Sequence, residues 1–148
     1  MKRLYPSQPI VGVGAVIVNQ GKIVLERRGS EPSKGKWTIP GGLVELGESL
    51  ENAVIRETEE ETCLDVENPC LIDVVDNVDL DVNGKVKYHY VIIDYLVHIR
   101  GGRLKASSDA ADLRWVPFEE VEDYDLTASF RVFFRQNREH LKKVSSYC

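Results

Sequence analysis

Cysteine is scarce in this chain. The three thiols among 148 residues, Cys63, Cys70 and Cys148, form an odd set with no C-x-x-C pair. That pattern excludes a disulfide framework and a zinc knuckle, and it suits thiols kept reduced in the cytoplasm. No apolar run approaches the ~18 residues of a membrane span. The longest candidate, residues 10–18, lies behind Pro6 and Pro9 and has no small-residue cleavage site after it, so it is expected to be a buried strand and not a leader. Positive charge is in deficit, with 19 Lys and Arg against 24 Asp and Glu and a net charge of -5. A nucleic-acid duplex is therefore not expected as a stable partner, because backbone binding needs clustered basic residues. An acidic substrate stays open, since a bound divalent cation reverses the local sign. Low-complexity tracts and internal repeats are also missing.

What is present is the composition of one globular domain, 43% hydrophobic and 29% charged. Residues 10–18 and 22–28 are β-branched and apolar, and Asn19-Gln20-Gly21 between them supplies hairpin turn residues. A polar Gly/Pro/Ser loop follows, ending in Gly41-Gly42, where backbone can approach another group closely. Ser49 then caps a helix whose Leu50, Ala53 and Val54 recur at helical spacing. A second hairpin is expected around Asn83-Gly84, then a loop, a short strand closed by Pro117, and a C-terminal helix with basic last turns. Residues 9–144 thus read as one α+β unit.

The segment RETEEET, residues 56–62, sets one arginine against four glutamates. At ~100° per residue Glu57, Glu60 and Glu61 share one arc and continue the stripe of Leu50, Ala53 and Val54, whereas Glu59 points elsewhere. Like-charge neighbours cost ~0.2–0.5 kcal/mol per pair, and acids late in a helix oppose its dipole by ~0.3–1 kcal/mol each. Burying an unpaired carboxylate costs several kcal/mol more. Arg56 cannot neutralise them all, so the inward arc calls for a cation. Oxygen donors without Cys or His favour Mg²⁺ or Mn²⁺ over zinc. A merely solvated acidic helix face is the competing explanation of the same run.

From Gly42 the chain reads GLVELGESLENAVIRETEEETCL. This stretch, residues 42–64, resembles the Nudix box of the MutT-like pyrophosphohydrolases in both spacing and residue type. PIVGVGAVIV, LERR, the run from Trp37 to Gly42 and DAADLRWV extend the likeness to most of the chain. The resemblance implies a single domain over residues 1–148 with the Nudix fold, a mixed β-sheet sandwiched between helices. It implies Mg²⁺ or Mn²⁺ ligated by Glu57, Glu60 and Glu61 with the Gly41 carbonyl, supported by Glu48, and Arg56 holding a glutamate in place. Glu60 is the first choice of base, with Asp109 second and Asp112 behind it; loop aspartates that cap a turn are the alternative for those two. Arg27, Arg28, Trp37 and Glu45 are placed on the substrate side, with Tyr88 or Tyr90 as further stacking candidates. For the arginines a solvated strand end competes, and for the aromatics a place in the core.

The resemblance further implies hydrolysis of a nucleoside diphosphate linked to another group. The small ADP-ribose pyrophosphatases, which give AMP and ribose 5-phosphate, are the members most similar in YHYVIIDYLV and DAADLRWV. Their proline marker would fall near Asp79 and Leu80, neither of which is proline, so (deoxy)nucleoside triphosphate cleavage is the alternative. A non-catalytic nucleotide sensor is the alternative from another class. A homodimer is expected by the same resemblance, with no membrane partner. The pattern departs at Cys63, where the usual glycine ends the helix in a left-handed conformation costing other residues ~1–2 kcal/mol. Cys63 is expected to be a small buried residue and not a reactive thiol.

Overall fold

The computed structural model describes residues 2–105 and 110–144. Eight strands and two α-helices follow in the order β1 (Ile10–Val16), β2 (Val18–Asn19), β3 (Lys22–Arg28), β4 (Trp37–Thr38), β5 (Gly41–Leu43), α1 (Leu50–Thr62), β6 (Leu64–Leu80), β7 (Val86–Gly102), β8 (Ala110–Pro117) and α2 (Ala128–Val144), with a 3-10 turn at Phe118–Asp123. One sheet has the order β5-β1-β7-β6 and is mixed, because β1 runs parallel to β7 and antiparallel to β5. The other joins β2, β3 and β4, with β8 on the free side of β3.

The strand alternation sorts side chains onto two faces, as a period of two requires. Val16 and Leu96 pack with Phe130, Phe133 and Phe134 of α2. Their neighbours Ala15, Ile17, Tyr95 and Val97 pack with Ala53 and Val54 of α1 on the opposite side. The α+β architecture read from the sequence, with helices on both faces of mixed sheet, is the one observed.

The first hairpin is shorter than the sequence suggests. Only Val18 and Asn19 pair with β3, through Gln20 and Gly21 at positive φ (51° and 77°). Residues 10–16 instead insert between β5 and β7. The run is buried on both faces, so apolar composition alone could not say which strand it would join. The second hairpin is much longer, 17 residues on each side, and closes as Asn83-Gly84 predicts, with Gly84 at φ 80°. Asp81 ties that turn by accepting from the Asn83 and Lys85 amides, both at 2.9 Å.

Helix α1 begins where Ser49 accepts the Asn52 amide at 3.1 Å. It ends at Cys63, which takes up the left-handed conformation (φ 62°, ψ 10°) and donates its N–H to the Glu59 carbonyl at 3.0 Å. Cys63 is exposed, contrary to the expectation of a buried residue, because the turn that ends the helix lifts it off the core. The helix's buried line runs Ala53, Val54, Thr58, Thr62. Both threonines satisfy their hydroxyls by donating four residues back, to the Val54 and Thr58 carbonyls at 2.6 Å.

Candidate active site

A cleft of about 970 Å³ opens on the α2 side of the mixed sheet. Glu26 of β3, Gly41 and Gly42 of β5, and Glu57, Glu60 and Glu61 of α1 line one end. Tyr88, Tyr90 and Asn77 line the other, with Arg3 and Arg28. The three helix glutamates therefore face a common space, but they are not equivalent. The Glu57 side chain is 15% exposed and that of Glu60 is 59% exposed. Helical geometry explains the difference: Glu57 and Glu61 fall inside the arc from Ala53 to Thr62, and Glu60 falls ~20° outside it.

Close approach of backbone fixes the inner two. A Cβ on Gly42 would lie 2.1 Å from Glu57 Cδ, so only glycine leaves room for that carboxyl. The Gly41 amide donates to Glu61 Oε2 at 3.3 Å. Glu61 is also hydrogen-bonded to Glu26, a buried acid with 9% exposure. Burial, and then the Glu26 charge, push the Glu61 carboxyl well above the ordinary glutamate range. Burial raises Glu57 as well, against the opposing pull of Arg56.

Arg56 organises the outer side. Its Nε and Nη2 donate to Glu48 Oε2 and Oε1 at 2.7 and 2.9 Å, a two-pronged pairing. Its Nη1 donates to Glu57 at 2.8 Å and Glu60 at 3.2 Å, and Nη2 also reaches the Leu43 carbonyl at 3.1 Å. Glu48, which further accepts the Glu45 amide at 3.0 Å, is held down to about 2 by the Arg56 hydrogen bond first and by that amide second. Glu45 itself is 70% exposed and stands 3.8 Å from Arg56, outside the cleft lining.

The remaining sequence candidates divide. Arg28 lines the cleft and donates Nε to the Pro32 carbonyl at 2.6 Å. Arg27, one residue earlier and so on the opposite face, lines a separate hollow of about 460 Å³ with Trp37, Arg114 and Tyr124. Trp37 is buried, edge-on to Tyr124 at 5.1 Å and covered by the Arg114 guanidinium at 5.0 Å. Tyr88 and Tyr90 line the cleft as a near-parallel pair with centroids 6.4 Å apart. Asp112 accepts from the Leu113 amide at 2.9 Å and from Arg114 at 3.0 Å, away from the cleft. Asp109 lies outside the described residues.

Glu26 and Asp94, which line the cleft, escaped the sequence reading. Glu26 could have been found from the alternation of LERR, which puts it on the same strand face as Arg28. Asp94 sits in the apolar run YVIIDYLV, 4% exposed, and burial with Asp73 nearby raises it to about 7. A lone acid inside a strand of that kind carries no motif of its own.

The site suits a hard divalent cation in its donor chemistry. Its donors are carboxylate and backbone oxygens, and the buried Glu26–Glu61 pair keeps a proton that a cation would displace. Among the described residues no three acids already converge as a metal cage, for Glu57 and Glu60 both lean on Arg56 Nη1.

The NUDIX domain family matches residues 8–136. The chain is 36% identical over 145 residues to an ADP-ribose pyrophosphatase of Methanocaldococcus jannaschii, covering 98% of this chain and 76% of that one. A MutT NUDIX hydrolase from Burkholderia pseudomallei superposes with a TM-score of 0.75 at 36% identity, over 88% of this chain and 98% of the other. The NUDIX domain of Shewanella oneidensis NrtR, solved with ADP ribose, superposes with a TM-score of 0.73 at 25% identity, over 91% and 90%. With a glutamate helix facing a glycine-lined cleft and the family match spanning nearly all of the fold, the chain belongs to the Nudix family and is a Nudix hydrolase.

Proposed function

We propose that this hydrolase cleaves the diphosphate of a nucleoside diphosphate linked to another group, with ADP-ribose as the preferred substrate and AMP and ribose 5-phosphate as products. The observation that carries the reading is the carboxyl wall of buried Glu26 and half-buried Glu57 and Glu61 at one end of a cleft large enough for a dinucleotide-sized ligand. Arg3 and Arg28 near the other end supply positive charge for phosphate or sugar oxygens. The similarity to an ADP-ribose pyrophosphatase and to a NUDIX domain solved with ADP ribose supports that choice over a triphosphate. The MutT-named neighbour keeps (deoxy)nucleoside triphosphates as the competing substrates.

In this reading Glu57, Glu60 and Glu61, with Glu26 and the Gly41 carbonyl, would hold Mg²⁺ or Mn²⁺. The cation supplies charge neutralisation at the phosphoryl oxygens and a more acidic water. The chain's own residues do the positioning. Arg56 donates to Glu57 and Glu60 and so orients both, while Glu48 anchors the guanidinium through two further hydrogen bonds. Glu60, the most solvent-open of the three, is placed to accept a proton from the attacking water. The cleft walls of Tyr88 and Tyr90 offer ring faces to a ligand.

A second copy of the chain as partner belongs to the same reading. Val11, Val74 and Val78 leave apolar surface on the long hairpin and its neighbour β1. Sedimentation over a concentration series tests it, and a monomer at every concentration removes it. For the activity, the chain is incubated with Mg²⁺ and a panel of ADP-ribose, dinucleoside polyphosphates and dNTPs. Fastest turnover of ADP-ribose is the expected result. Fastest turnover of a dNTP moves the substrate to the triphosphate class, and no product from any of them leaves a nucleotide sensor.

A further inference from the structure

Asp94 of β7 lines the cleft two strands from Gly41, and nothing in the hydrolytic machinery uses it. Its Oδ1 occupies the space above Gly14, 2.2 Å from where a Cβ would be, with Ile39 Cδ1 close by. One transverse row of the sheet reads Gly41, Gly14, Asp94, Asp73. The two glycines leave the aspartate the only side chain that can fill the middle of that row. Its neighbour Asp73 is turned to the Asn137 amide at 3.2 Å and to the Val74 N–H at 2.8 Å. No described residue donates a hydrogen bond to Asp94, although it is 4% exposed and lines the cleft. A carboxyl with no protein donor that opens only on the cleft takes its hydrogen bonds from whatever fills the cleft, water or a ligand.

The surroundings say what kind of ligand. Ile39, Phe130 and Phe133 line the same cleft as buried apolar walls, which suit a flat heterocycle and would leave the hydroxyls of a sugar without partners. A cation is a poor fit, because Asp73 faces away and no three acids gather around Asp94 among the described residues. Gly41, which meets Glu61, is two strands from Asp94, ~10 Å across the sheet. That span is comparable with the reach of a nucleoside from its 5′-phosphate to the far edge of its base.

We propose that Asp94 is the base-reading residue of the cleft, hydrogen-bonding the exocyclic amino group of a purine nucleotide. The assignment rests on the nucleotide-cleaving reading of the cleft, and it names a part of the ligand which that reading leaves open. With its proton on, the Asp94 carboxyl offers an acceptor and a donor side by side, matching an amino group next to a ring nitrogen. Without it, two acceptors face the amino group and an adjacent ring N–H.

Binding in the presence of EDTA tests this apart from turnover. Equilibrium dialysis compares AMP with purine riboside 5′-monophosphate, and GMP with IMP, each pair differing by one exocyclic amine. The wild-type chain is expected to prefer the amino member of at least one pair by about tenfold, the worth of one hydrogen bond made in a dry site. Asp94→Leu loses the preference with its fold intact, and Asp94→Asn, which keeps an acceptor oxygen, retains it. Equal binding within both pairs, no binding of any of the four, or a preference that survives in Asp94→Leu overturns the assignment. A failed diphosphate panel with the base preference intact would remove the hydrolytic reading and leave Asp94 its role.

Discussion

Arg56 grips Glu48 with two parallel hydrogen bonds, of 2.7 and 2.9 Å, and so the guanidinium that touches Glu57 and Glu60 is itself fixed from the loop before the helix. A lysine cannot reproduce that fork. Arg56→Lys is expected to lower kcat/KM by ~10–100-fold, as removal of a residue that orients metal ligands does. The acid limb of stability should move too. Glu48 is depressed to about 2 from 4.5, so its contribution is present above pH 4.5 and is lost as pH falls toward 2. The variant should therefore unfold at a higher pH on acidification, followed by far-ultraviolet circular dichroism.

The acids of α1 should separate by position and not by charge. Glu57→Gln and Glu61→Gln are each expected to lose ~10²-fold or more in kcat, together with Mg²⁺ affinity measured by calorimetry. Glu59→Gln, on the exposed side, should stay within about twofold. A Glu59 variant as impaired as the other two would show that the helix face has no bearing on function.

Gly42→Ala brings a methyl to 2.1 Å from Glu57 Cδ and must displace that carboxyl. Activity should fall by ~10²-fold, the cost of a misplacement near 1 Å. The melting temperature should change little, because the flexible glutamate gives way before the strand does. Gly41→Ala is the contrast, since its Cβ meets the Val13 carbonyl oxygen at 2.2 Å and backbone cannot give way so easily. That variant should lose stability as well as activity.

Cys63 holds a left-handed conformation without being glycine. Cys63→Gly is expected to stabilise the fold by about 1 kcal/mol, raising the melting temperature by roughly 2–4 °C, with activity unchanged. No gain in a calorimetric scan would mean that the backbone there is not strained.

Asp94 makes a prediction about pH. Its folded-state value is raised to about 7 from 3.8, so the native chain holds a proton that the unfolded chain releases in between. Stability from this group is complete below pH 3.8 and declines as pH rises to about 7. Asp94→Leu removes the loss, so the variant should gain on the wild type from pH 4 to pH 8, by at most about 4 kcal/mol. Urea midpoints at the two pH values, with EDTA present, measure it.

How far the sequence shows these features depends on whether a residue's neighbours are local. The cap at Ser49, the Asn83-Gly84 turn and the inward place of Glu57 and Glu61 follow from spacing within a few residues. The partner of β1 does not, because a doubly buried strand has no polar face to set its pairing. The same limit hid Glu26 and Asp94, whose meaning comes from Glu61 and Gly14, each far away along the chain. Trp37 and Arg27 lie on the face turned away from the cleft, Trp37 buried as its core alternative had it and Arg27 in the separate hollow, a sorting that residue type alone does not give.

The long hairpin leaves β6 as the outer strand of its sheet. Its 17 residues include Asp65, Glu67, Asp73, Asp76 and Asp79 and no lysine or arginine. Arg100 answers Asp65 and Glu67, so two molecules aligning along that border would press acid against acid from Asp73 to Asp79, and there the chain discourages its own stacking into ribbons. The protection is electrostatic and therefore conditional: it weakens as salt shortens the range of the repulsion, and concentrated brine is the condition in which this protein should first cloud.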